Sequence, residues 1–162
     1  MTPSFDNKEL RAVLGCFATG VTVVTTEMNN ECYGMTVNSF ASVSLDPPLV
    51  LWSLDEKSNT YDVFSSASYY NIHILTEDQE SLSNQFASSL ANKFSCVDYA
   101  VDENGVPVIK SCAALLRCQL ETTISQGDHL IIIGRVLSVE KEPDADLLIF
   151  AKGNYASLAK PE

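Results

Sequence analysis

The extended segments of this chain follow one another with almost no helix between them, and that succession limits its fold more than any other feature. Val21-Thr22-Val23-Val24-Thr25-Thr26 is a run of β-branched residues and predicts a strand. Asn29-Asn30 marks a turn, a second strand carries Tyr33 to Val37, and a third runs Phe40 to Leu45 with period-2 alternation. Asp46-Pro47-Pro48 breaks the chain before Leu49-Val50-Leu51-Trp52-Ser53-Leu54, an apolar strand expected at the centre of a sheet. Tyr69 to Leu75 is extended, as are Ala114 to Thr123, His129 to Glu140 and Leu147 to Phe150. Residues 88–113 read as irregular, with a turn at Glu103-Asn104-Gly105. Parallel pairing needs a crossover helix between most strands. Seven or eight directly connected strands therefore predict a mainly β, antiparallel closed barrel with two or three peripheral α-helices.

Three helices are marked. Leu10, Val13, Leu14 and Phe17 form one stripe, opened by Asp6 or Asn7 and ended by Gly20. Ser58 or Asn59 opens a short helix holding Tyr61 and Phe64. Thr76-Glu77-Asp78-Gln79 has capping-box form ahead of a helix with Leu82 and Phe86 on one face.

A length of 162 residues fits one domain over 1–162 with a sizeable core. The proportions, 46% apolar and 19% charged, exclude disorder. With 21 acids against 10 bases the net charge is −11, and no basic stripe is present, so neither nucleic acid nor an anionic membrane surface is an expected partner. No run approaches the roughly 18 apolar residues of a membrane span. Met1-Thr2-Pro3-Ser4-Phe5-Asp6 lacks the marks of a leader, so a cytoplasmic location is expected. The cysteines (Cys16, Cys32, Cys96, Cys112 and Cys118) are odd in number and unsuited by spacing to a disulfide framework or a zinc site. They read as reduced thiols, mostly packed as small hydrophobes. Only His73 and His129 are available as histidine ligands, so no metal is expected. His73 lies mid-strand and reads as a packed or surface residue, and Asp102-Glu103 as a solvated turn pair.

Dinucleotide-binding, Walker and nucleophile-elbow patterns are missing. Four stretches remain. Gly34-Met35-Thr36-Val37-Asn38-Ser39-Phe40-Ala41-Ser42-Val43-Ser44 sets amides and hydroxyls beside an apolar strand. That mixture suits a flavin ring, and equally a Ser/Thr-rich edge strand facing water. Asp55-Glu56-Lys57-Ser58-Asn59-Thr60 opens a helix and offers either an anion site or simple capping. Gly127-Asp128-His129 precedes Leu130-Ile131-Ile132-Ile133 and is at least a β-turn. Phe150-Ala151-Lys152-Gly153-Asn154-Tyr155 closes the chain, in its plainest reading as a strand with an aromatic plug.

Taken in order, these stretches resemble the flavin reductase-like family, the FMN-binding split barrels that include reductase partners of two-component monooxygenases. The resemblance runs from about Phe5 to Leu158. It is carried by Phe17-Ala18-Thr19-Gly20-Val21-Thr22-Val23-Val24-Thr25, Gly34 to Phe40, Ser42-x-Ser44-x-Asp46-Pro47-Pro48, Lys57-Ser58-x-Thr60 and Gly127-Asp128-His129. It implies an antiparallel split barrel of Greek-key type. It places Thr36, Val37, Asn38, Ser39 and Phe40 along the isoalloxazine ring, with Asn38 and Ser39 hydrogen-bonding it. Leu51, Trp52 and Ser53 would flank the ribityl side, and Lys57, Ser58 and Thr60 would hold the phosphate. Phe86-Ala87 would contact the cofactor, Tyr155 would close the site, and His129 would sit where the nicotinamide docks. One departure stands out. Relatives often carry a basic residue before Phe-Ala of the third helix, where this chain has Gln85, leaving Asn84, Ser88 and Lys93 as substitutes.

The activity so implied is that of an NAD(P)H:flavin oxidoreductase. Hydride passes from NADH or NADPH to FMN, with FAD as the alternative flavin, in a homodimer that supplies reduced flavin to a separate monooxygenase. The competing reading is an FMN-binding electron-transfer or storage protein without NAD(P)H activity. A third, an oxidase of a phosphorylated pyridine, lacks the basic cluster it would need.

Overall fold

The structure is a computed structural model that describes residues 4–159. Met1-Thr2-Pro3, part of the segment read as lacking a leader, lies outside the described residues. In chain order the elements are α1 (Asn7–Leu14), β1 (Thr19–Gly20), β2 (Thr22–Met28), β3 (Glu31–Val37), β4 (Ala41–Leu45), β5 (Pro48–Asp55), α2 (Tyr61–Ser66) and β6 (Tyr69–Ile74). A 3₁₀ turn, Glu77–Gln79, leads into α3 (Glu80–Ala87), and then come β7 (Tyr99–Val101), β8 (Pro107–Ile109), β9 (Ala114–Gln126), β10 (His129–Lys141), β11 (Ile149–Ala151) and β12 (Asn154–Ala156).

Local chemistry accounts for most boundaries. Asp6 and Glu9 cap α1 reciprocally, each backbone N–H donating to the other's carboxylate at 2.8 Å. The β2–β3 turn is made by Asn29 and Asn30, both at positive φ, as a two-residue hairpin requires. Gly127 fills the same need between β9 and β10, at φ +63°.

Seven strands pair antiparallel in the order β3-β2-β6-β9-β10-β5-β4. The ends of that order, β3 and β4, are consecutive in sequence and joined only by Asn38, Ser39 and Phe40, but they do not pair with each other. The closed barrel expected from strand succession is thus split, and the split falls beside the polar stretch singled out above. β5 lies one strand in from an edge rather than at the centre.

β2 is buried on both faces, which explains its unbroken β-branched run. Val24 faces a core with Trp52, Leu54, Phe64, Tyr70 and Ile132, and Val23 a second core with Leu75, Phe86, Phe94 and Ile109. The buried threonines are satisfied. Thr22 Oγ1 donates to Val37 O at 2.9 Å, Thr25 Oγ1 to Pro107 O at 2.6 Å and Thr26 Oγ1 to Tyr69 O at 2.7 Å.

Several sequence expectations change. α1 ends at Gly15 rather than Gly20, because Thr19 and Gly20 are recruited to pair with Phe150 and Ile149. α2 starts after Thr60, not at Ser58 or Asn59. The stretch expected to be irregular contains the β7–β8 hairpin. Asp102 is not a solvated turn residue. Its side chain is only 4% exposed, accepts from the N–H groups of Asn104 (2.9 Å) and Val106 (3.0 Å), and takes Asn71 Nδ2 at 2.9 Å. His73 is fully buried, and its ring ties three strands together. Nδ1 lies 3.0 Å from Val23 O, which can only accept, so Nδ1 carries the proton. Nε2 accepts from Ile109 N–H at 3.0 Å. Burial pushes its pKa down to about 4. Of the cysteines, Cys118 is buried, while Cys16 and Cys96 are exposed. Along α1 and just past it the apolar stripe is uncovered, with Val13 69%, Leu14 62% and Phe17 80% exposed. Among the described residues no helix is long and apolar enough to cross a membrane.

Candidate functional site

The end of β3, the loop after β5 and the end of α3 converge on a cleft of about 320 Å³. β3 contributes Met35 and Thr36, the loop Lys57, Ser58, Asn59 and Thr60, and α3 with its following turn Phe86, Ala87, Ser88, Leu90 and Lys93. The loop is shaped by Asp55, whose Oδ1 accepts from Lys57 N–H at 2.8 Å and whose carbonyl accepts from Ser58 N–H at 2.9 Å. That turn sets the Ser58 and Thr60 hydroxyls 3.0 Å apart. Gln85 holds no charge here. Its Nε2 donates to Lys93 O at 2.6 Å and Ser95 O at 3.0 Å, pinning the turn that presents Lys93. Lys93 Nζ donates to Phe86 O at 2.9 Å and Gly34 O at 3.3 Å, and partial burial lowers its pKa. The floor is Phe86, fully buried edge-on against Phe94. Gly34 is needed beneath it, since a Cβ there would stand 2.4 Å from Phe86 Cε1.

Thr36 and Ala87 also line a smaller cavity of about 180 Å³, with Val37, Asn38, Ser83, Phe150 and Tyr155. Tyr155 is brought there by the β11–β12 hairpin, where it stacks edge-on against Phe150 at 5.4 Å. Its hydroxyl lies 2.7 Å from the buried Ser83 Oγ and donates to Asn84 Oδ1 at 3.2 Å. Thr36 Oγ1 donates to Ser83 O at 2.6 Å, so its oxygen offers only lone pairs to a ligand.

The remaining sequence candidates lie outside these two spaces. The Ser39 hydroxyl is taken up by Ser53, accepting from its N–H at 2.9 Å and donating to its carbonyl at 3.3 Å, which clasps the start of β4 to β5. Ser39 can therefore offer a ring its backbone and the one lone pair left on its hydroxyl, whose proton Ser53 O takes. Phe40 packs on the barrel core. β5 alternates, so Leu51 and Ser53 are half-buried on one face, while Trp52 is 0% exposed on the other, edge-on to Phe64 at 5.4 Å and Tyr70 at 5.9 Å. The Trp52 ring belongs to the core and lines neither space. His129 opens β10 and lines neither space. Its Nδ1 donates to Asp128 Oδ1 at 2.7 Å, a bond that holds the Asp128 carboxyl below its usual value. Glu56 N–H donates to Asp128 O at 3.1 Å, tying this turn to the Lys57 loop. Among the described residues no group of three or more His, Cys, Asp or Glu is placed to hold a metal.

Sequence reasoning missed Ser83 and Leu90, and singled out Phe150 only as part of the closing stretch. Ser83 had a signal, because it lies three residues before Phe86 and so shares the buried helical face, where a hydroxyl requires a partner.

Residues 14–159 match the model of the flavin reductase-like domain. The chain belongs to that family. It is 42% identical over 155 residues to the FMN reductase (NADH) SmoA of Agrobacterium fabrum, a match covering 96% of this chain and 88% of that protein. It is 40% identical to the reductase component of the flavin-dependent trigonelline monooxygenase of Acinetobacter baylyi, over 94% of this chain. The chain spans about half the length of that relative, 49%. Among solved structures of the flavin reductase-like kind, the NADH:FAD oxidoreductase SgcE6 of Streptomyces globisporus, in complex with NAD and FAD fragments, superposes with a TM-score of 0.92 at 34% identity. That match covers 98% of this chain and 96% of the other.

Proposed function

We propose that this chain works as one domain, an NADH-dependent flavin reductase, and holds the FMN unit of its flavin along the split of the barrel. One observation carries the reading. The cleft that gathers Lys57, Ser58, Thr60 and Lys93 shares Thr36 and Ala87 with a cavity bordered by Asn38, Phe150 and Tyr155. A flavin mononucleotide has matching chemistry, a phosphate dianion at one end and at the other a fused ring with an amide-like edge.

A bound flavin would supply the redox chemistry, as the acceptor of hydride equivalents from a nicotinamide. The protein binds and orients. Lys57, Lys93 and the paired hydroxyls neutralise the phosphate. The Asn38 carboxamide offers a donor and an acceptor to the pyrimidine edge. Thr36 adds an acceptor, and β3, an edge strand, has unpaired backbone groups to add. Phe150 and Tyr155 limit water at the ring. With Nδ1 bound to Asp128, a neutral His129 keeps its lone pair on Nε2, suited to accept from the nicotinamide carboxamide. NADH, rather than NADPH, is favoured by the names of the relatives above. The uncovered stripe of α1 supports a homodimer, and five unpaired cysteines suit a reducing, cytoplasmic compartment. A separate monooxygenase would take the reduced flavin.

The test is anaerobic addition of NADH to the FMN-loaded protein, which should bleach the flavin absorption. Bound FMN that NADH does not bleach would assign the chain to flavin storage or electron transfer. Absence of any saturable change in flavin fluorescence would remove the flavin site itself.

A further inference from the structure

The two lysines of the phosphate-side cleft are carried by two different turns, and a residue that does not line the cleft holds each turn. Asp55 does so for Lys57, through the Lys57 N–H. Gln85 does so for Lys93, and it brackets the whole turn after α3. Its backbone carbonyl takes the start, accepting from Ser88 Oγ at 2.7 Å and from Ser88 N–H at 3.3 Å. Its side chain takes the end, where Nε2 donates to Lys93 O and Ser95 O. A carboxamide nitrogen has two N–H groups, and both are spent on these carbonyls. Between the two ends Ser89, Leu90, Ala91 and Asn92 are exposed.

Lys93 is a cation without a counter-charge. Among the described residues no ion pair joins it to a carboxylate. Phe86 O and Gly34 O take two of its three N–H donors, which leaves one for an anion in the cleft. Partial burial lowers its pKa, and a bound anion offsets that desolvation. A lysine side chain is flexible, and holding it in one geometry costs rotamer entropy. Its direction is set here by where its main chain is fixed, and Gln85 fixes it at the carbonyl.

We propose that Gln85 is a positioning residue for phosphate recognition. It touches no ligand, and by clamping the Lys93 main chain it keeps that ammonium in the cleft with Lys57, Ser58 and Thr60. The inference rests on the flavin site proposed above and adds the group that makes the second cation effective. The property Gln85 controls is selectivity for a phosphorylated flavin over an unphosphorylated one.

The full chain is titrated with FMN and with riboflavin by flavin fluorescence, as wild type, Gln85→Leu, Gln85→Met, Lys93→Ala and Lys57→Ala, with Tm recorded for each. Leucine and methionine remove both donors without adding a charge, and methionine keeps the side-chain length where the leucine variant fails to fold. Each Gln85 variant should weaken FMN about fivefold or more and riboflavin less than about twofold, as loss of a charge-assisted contact predicts. Lys93→Ala should do the same. Gln85→Met should cost FMN nothing further in a Lys93→Ala background, and its full loss again in a Lys57→Ala background. An unchanged FMN-to-riboflavin ratio in the Gln85 variants overturns the positioning role, as do equal losses for both flavins or a full added loss on top of Lys93→Ala. If Lys93→Ala lowers the ratio and the Gln85 variants do not, the flavin site stands without this inference. Binding of neither flavin by wild type removes the parent reading and this one with it.

Discussion

A methyl group at Gly34 tests how tightly the floor of the cleft is built. Gly34→Ala would put Cβ 2.4 Å from Cε1 and 2.6 Å from Cδ1 of Phe86. Carbon atoms settle at about 3.5–4.0 Å, so the ring must retreat by on the order of 1 Å. It has little room to do so, being fully buried and edge-on to Phe94 with centroids 5.0 Å apart. Overpacking of this kind costs about 1–3 kcal/mol. For a chain of this size each kcal/mol lowers Tm by about 2–4 °C, so the expected loss is roughly 2–12 °C by circular dichroism. Both carbonyls that hold Lys93 flank the clash, so FMN affinity should fall as well. Phe86→Leu relieves the collision, and the Gly34→Ala, Phe86→Leu double variant should be less destabilised than the sum of the singles by about 1 kcal/mol or more. A Tm within about 1 °C of wild type, or additive singles, would refute this account of the floor.

Four further outcomes are expected. His73 has a pKa of about 4 when folded against about 6.5 unfolded, so protons bind preferentially to the unfolded chain as pH falls through that window. Stability should then be full above about pH 6.5 and drop by up to about 3 kcal/mol towards pH 4, and His73→Gln should flatten denaturant midpoints measured across that range. Lys57→Ala should weaken FMN about tenfold or more and riboflavin hardly at all, and equal losses by fluorescence titration would move the phosphate elsewhere. Ser83→Ala and Tyr155→Phe should show a coupling of about 1 kcal/mol in a thermodynamic cycle, since removing one partner of a buried bond costs more than removing both. His129→Ala should raise the KM for NADH or lower kcat/KM about tenfold while FMN affinity stays put, and unchanged kinetics would count against its role.

Much of the barrel was legible because its determinants are local. The β-branched run of β2, the Asn29-Asn30 turn and the caps at Asp6 and Thr76 act within a few residues. What escaped depends on partners far along the chain. Gly20 could not be seen to leave the helix, because its partner is Ile149. The β7–β8 strands are three residues each, too short to show a period. The continuous apolar run around Trp52 hid which of its residues faces the core, and a hydroxyl such as that of Ser39 gives no sign that Ser53 will claim it. In the site, Lys57, Ser58 and Thr60 were legible as a contiguous polar loop, whereas Lys93 was legible only as one of three substitutes beside Gln85, because it reaches the same cleft through a turn that Gln85 pins.

The burial of Trp52 gives this protein an optical label. It is the single tryptophan of the chain, and it emits from the dry interior of the barrel. Its fluorescence should be blue-shifted in the native state and move to longer wavelength only when the barrel opens, undiluted by any surface indole. A flavin seated at the split would absorb where Trp52 emits and drain its excitation by resonance energy transfer. The wavelength of one emission band would then follow folding while its intensity followed cofactor occupancy, in the same cuvette and without any added dye.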